Sequence, residues 1–82
     1  MLTTGNQLKA ARALAGFDQA TLAERAAVNV NTIRNMESKA GGTLTSGMDI
    51  VRKVQAALEA AGIEFLNHGR PGVRLRESAM EQ

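Results

Sequence analysis

Apolar residues recur along the chain with a helical period first and a strand period last. Residues 6–15 (NQLKAARALA) combine Ala, Leu, Lys and Arg, which favour helix. Thr4 or Asn6 can cap that segment, Gly16 ends it, and residues 1–5 form a short lead-in. Asp18 is the N-cap of a second helix at 19–26, whose inner face is Leu22, Ala23 and Ala26. A tight turn at 27–29 follows, and Asn29 caps a third helix at about 30–37. Ile33 and Met36 face inward there, while Asn31, Arg34 and Asn35 form the outer face. The stretch SKAGGTLT reads as a loop, and Ser46 with Asp49 gives an S-x-x-D start to a fourth helix at about 47–61. Ile50, Val51, Val54 and Leu58 line one side of it, and Gly62 stops it. The period then shifts to two. IEFLN (63–67), HGRPG (68–72) and VRLR (73–76) read as strand, turn and strand, with a frayed tail at 77–82. The expectation is a mainly α fold: a four-helix unit over 1–62 followed by a short C-terminal β-hairpin over 63–76.

Composition narrows the function classes. A chain of 82 residues holds one small domain, and a core that size gains stability from a second copy. The absence of cysteine excludes disulfides and thiolate metal sites. His68, the lone histidine, lies in the hairpin turn without a second ligand nearby and reads as a solvated turn residue. No Ser-His-Asp set is present, and the Gly pair at 41–42 lacks the flanking strand and Lys-Ser/Thr of a phosphate loop. No enzyme, cofactor, metal or small-molecule ligand is therefore expected. No apolar run approaches a membrane span, and the N-terminus lacks a signal-peptide core, so a cytoplasmic, soluble protein is the expectation. A net charge of +2 says little, but a pI near 9.7 suits a nucleic-acid partner. Two aromatics, Phe17 and Phe65, are too few for base stacking, which favours duplex DNA over single strands.

The informative stretch is QATLAERAAVNVNTIRNME, residues 19–37. Two short helices can cross steeply there through a turn of a few residues. Ala23 gives room at the approach, and Leu22, Ala26, Val28, Ile33 and Met36 lock the pair. The second helix keeps Asn31, Arg34 and Asn35 free for a major groove, where Asn suits adenine and Arg suits guanine.

With those residues in view, 7–37 resembles the phage-repressor-like helix-turn-helix (XRE, or Cro-type) family of transcriptional regulators, in the stretch RALAGFDQATLAERAAVNVNTIRNMES. Arg12, Gly16, Gln19, Leu22, Ala23, Val28, Thr32, Ile33 and Glu37 carry the resemblance together. Ala27 departs from it, standing where the family has Gly in the turn, and so does Thr21, where Glu is commoner. The likeness covers the first three helices well and the fourth loosely; the hairpin lies outside the core pattern. It implies a lambda-repressor-like fold. It also implies base contacts from Asn29, Val30, Asn31, Arg34 and Asn35, and phosphate contacts from Gln19 and Lys39. Thr32 is divided between packing and phosphate, and Arg12 and Glu37 are implied as a partly buried ion pair. Lys9, Arg52 and Lys53 read as solvated surface.

The expected function is a sequence-specific double-stranded DNA-binding regulator of transcription, a repressor, acting as a homodimer on a near-palindromic operator. Ile63, Phe65, Val73 and Leu75 share one face of the hairpin, and its open edges invite a second copy, so these four are the expected dimerisation residues. Dimerisation through helix 47–61 is the alternative. Two other roles compete. An antitoxin with a toxin partner would need a longer wrapping segment than the tail offers. A protein-interaction module without DNA binding would not need the polar face of the third helix.

Overall fold

A computed structural model of the chain describes residues 2–38, 47–66 and 72–76. The fold is mainly helical with a C-terminal antiparallel hairpin. Its elements are α1 (Gly5–Ala15), α2 (Gln19–Ala26), α3 (Val30–Ser38), α4 (Met48–Ala60), β1 (Ile63–Leu66) and β2 (Gly72–Leu75). None of the described helices is long and apolar enough to cross a membrane.

Each helix starts and stops for a local reason. The Thr4 hydroxyl accepts from the Gln7 N–H at 3.1 Å and caps α1, so Asn6, the other expected cap, is an exposed residue inside the helix. Gly16 closes α1 in the left-handed region at φ 77°. Asp18 caps α2, its Oδ1 accepting from the Thr21 N–H at 2.7 Å. The turn after α2 keeps left-handed geometry even though Ala stands there: Ala27 has φ 58° and ψ 43°. That conformation costs a Cβ-bearing residue about 1–2 kcal/mol. The expected Ser46–Asp49 start of α4 is corrected. Gly47 precedes the helix with no side-chain cap, Ser46 lies outside the described residues, and Asp49 is exposed in the first turn, where its charge suits the helix dipole. Helix α4 runs 48–60 rather than 47–61, and Gly62 makes the left-handed turn into β1 at φ 97°.

Leu8, Ala11, Leu22, Ile33, Met36, Val54 and Leu58 fill the core, each at most 1% exposed. They come from all four helices at spacings of three and four, which put one stripe per helix inward. The short lead-in contributes to this core. Leu2 is 2% exposed, and its N–H donates to Gln55 Oε1 on α4 at 2.9 Å. The buried Gln7 accepts from the Thr3 N–H at 2.8 Å and donates from Nε2 to the Gly72 carbonyl of β2 at 3.0 Å.

The hairpin pairs Ile63 with Leu75, Glu64 with Arg74, Phe65 with Val73 and Leu66 with Gly72. The first and third pairs put Ile63, Phe65, Val73 and Leu75 on one face, as the alternation predicts. That face turns toward the chain's own core: Ile63 is 1% exposed, and the other three pack on it partly buried. The four residues expected to join a second copy thus cover their own helices first. Gly62 turns the chain directly from α4 into β1, which lays this face on the core. On the outer face, Arg74 reaches Glu64 with two hydrogen bonds of 3.2 and 3.3 Å.

Candidate nucleic-acid interface

Helix α3 has two unlike sides. Ile33 and Met36 anchor it in the core, and Glu37 is buried beside them at 4% exposure. Asn31, Arg34 and Asn35 stand exposed on the other side, with Asn29 exposed just before the helix. These four residues are therefore available to a ligand along one short polar strip. Val30 is corrected in part: it lies partly buried against the core, because it shares the stripe of Ile33, three residues on. Thr32 is half-buried, which leans it toward packing. Lys39 lies outside the described residues, as do the loop at 39–46, His68 and the tail.

A buried carboxylate fixes how this helix is held. Arg12 Nε donates to Glu37 Oε2 at 2.7 Å and Arg12 Nη2 to Glu37 Oε1 at 3.1 Å, a two-pronged pair between α1 and the end of α3. Arg12 Nη1 also donates to the Phe17 carbonyl at 3.1 Å. The hydrogen bond to Glu37 holds the Arg12 guanidinium above its ordinary pKa, so the pair stays charged on the arginine side at any working pH. Gln19 completes the cluster. Its Nε2 donates to Glu37 Oε1 at 3.2 Å, so the amide expected at a phosphate turns inward. The cause is the carboxylate: a buried charge needs every donor within reach. One carboxylate thus ties α1, the α1–α2 turn, the start of α2 and the end of α3 together.

The start of α2 is less anion-friendly than the resemblance implies. The Thr21 backbone N–H, with its side chain and Arg12 adding to it, holds the Asp18 carboxyl below the usual carboxylate range. A negative charge therefore stands at that helix end, where it opposes a phosphate.

The Asn29 cap of α3 is as expected, whereas the Arg25–Phe17 and Arg34–Asn31 contacts were not foreseen from the sequence. Arg25 lies over the Phe17 ring at 4.9 Å. Asn29 Oδ1 accepts from the Asn31 N–H at 2.8 Å, which is the helix cap. Arg34 Nη1 donates to Asn31 Oδ1 at 3.0 Å. The spacing of three between Asn31 and Arg34 is the signal that points to the last of these. No family model matches the chain, and no curated protein matches it.

Proposed function

We propose that the protein is a sequence-specific duplex-DNA-binding regulator of transcription, a member of the phage-repressor-like helix-turn-helix family, in which α3 enters the major groove. The carrying observation is the polar strip Asn29, Asn31, Arg34 and Asn35, exposed on a helix whose opposite side is clamped by the buried Arg12–Glu37 pair. Apart from the Asn29 cap, such a strip is unneeded for the fold, and it fits a groove that admits one helix. The clamp supports the reading because a recognition helix must be held rigidly to discriminate bases.

One such helix reads only a few base pairs, so the binding unit is a two-fold dimer on a near-palindromic site, its helices about 34 Å apart. The phase of the hairpin supports a second copy at its edge. The Arg76 N–H donates to the Gly62 carbonyl at 2.7 Å, so Glu64 and Leu66 face β2 and the backbone of Phe65 faces the outer edge. An outer edge of this kind accepts another strand.

The test is selection from a random duplex library, followed by anisotropy titration of the enriched duplex at several salt concentrations. Specific binding with a falling log K against log salt is expected. Arg34→Ala should weaken it by about tenfold or more. Binding equal for enriched and random duplexes would overturn the reading.

A further inference from the structure

The exposed strip at the start of α3 presents hydrogen-bond donors more freely than acceptors. Asn29 Oδ1 is occupied by the Asn31 backbone N–H at 2.8 Å. Asn31 Oδ1 is occupied by Arg34 Nη1 at 3.0 Å. Both amides therefore turn their Nδ2 groups outward, and the remaining guanidinium N–H groups of Arg34 lie beside them. All three residues are exposed, and none of these outward donors has a partner among the described residues.

We propose that Asn29, Asn31 and Arg34 form one donor-presenting block that favours guanine over adenine at the centre of the half-site. The inference rests on the DNA-reading function proposed above. Guanine presents two adjacent acceptors, N7 and O6, in the major groove, whereas adenine pairs an N7 acceptor with an N6 donor. An asparagine that reads adenine must give a hydrogen from Nδ2 to N7 and accept one at Oδ1 from N6. Arg34 takes one of the two lone pairs of Asn31 Oδ1 and pins the amide, so an adenine has to compete with the guanidinium for that oxygen. Breaking that charge-assisted bond would leave the guanidinium facing the adenine N6–H donors, which repel it. Arg34 is thus a specificity residue twice over: it donates to a base itself, and it fixes which half of Asn31 the groove meets. Asn35 is exposed beside Arg34, but it shares no hydrogen bond with Asn29, Asn31 or Arg34 and so stands outside the block.

The experiment uses the duplex enriched from a random library, with single-base replacements measured by anisotropy. Guanines are expected at the positions where Asn31→Ala and Arg34→Ala lose affinity. Guanine→adenine there should weaken binding about tenfold or more. Guanine→7-deazaguanine, which lacks the N7 acceptor, should weaken it similarly. Guanine→inosine keeps the major-groove edge and should change it by less than about twofold. A second selection with Arg34→Ala, whose exposed site leaves the core untouched, should shift the preference toward adenine, because Asn31 Oδ1 is released. A wild-type preference for adenine at these positions, or an unchanged guanine preference in Arg34→Ala, overturns the donor block while leaving the DNA-reading function intact. A library from which nothing is enriched overturns that function and the block with it.

Discussion

Two single residues carry tests of the local chemistry. Ala27 holds a left-handed turn that Gly adopts without a Cβ penalty. Ala27→Gly should raise stability by about 0.5–1 kcal/mol, the relief of strain exceeding the extra entropy Gly carries in the unfolded chain. A thermal melt checks this, with a rise of several degrees expected for a domain this small. Asp18 sets a pH dependence. Its carboxyl is held below the usual range by the Thr21 N–H, so the folded state favours the charged form. That stabilisation is present above the ordinary carboxylate pKa and fades as pH falls through the lowered folded value. Asp18→Asn keeps a capping oxygen that does not titrate. Melting temperature measured from neutral to acidic pH should therefore fall less steeply in Asp18→Asn than in the wild type.

Between elements, the Arg12–Glu37 pair decides where α3 sits. Glu37→Ala removes the acceptor of Arg12 and Gln19 together. Arg12 keeps about a fifth of its side chain in water, at 20% exposure, which softens the loss. Removing one partner of a buried pair should still destabilise by about 3 kcal/mol. A double-mutant cycle with Arg12→Ala, read by denaturant unfolding, should give a coupling of at least about 1 kcal/mol. This pair was legible in the sequence, because it came with a resemblance that fixes two positions at once. The helices were legible from spacing alone: Leu22, Ile33 and Met36 mark their own inner faces. What escaped was whatever depends on contacts distant in sequence. Nothing local in Leu2 or Gln7 says that one enters the core and the other bonds a strand 65 residues later. The turn of Gln19 toward Glu37 likewise follows from where α3 packs, not from the helix start it occupies. The hairpin's alternation gave its two faces and let the apolar one pack on the fourth helix, as it does.

At the scale of the molecule, the hairpin is both cover and edge. Ile63→Ala should cost about 3 kcal/mol, since it empties a site that is 1% exposed. Truncation after Gly62 should therefore abolish cooperative unfolding, rather than merely leave a smaller folded domain. Dimerisation is better judged on the whole chain. Sedimentation equilibrium should show a concentration-dependent dimer, and the melting temperature should rise with protein concentration. A monomer at every concentration would place the pairing of half-sites on the DNA itself.

The ties from Leu2 to Gln55 and from Gln7 to Gly72 bear on how the protein is made. Two residues before and within α1 find their partners 53 and 65 positions further along the chain. Loops this long close slowly and gain nothing until they close. During translation the nascent chain can form its helices but cannot complete its core until β2 has been added. A chain interrupted before that strand is thus not a weaker version of the same domain. Its apolar stripes stay open, so only chains that reach β2 yield the folded unit.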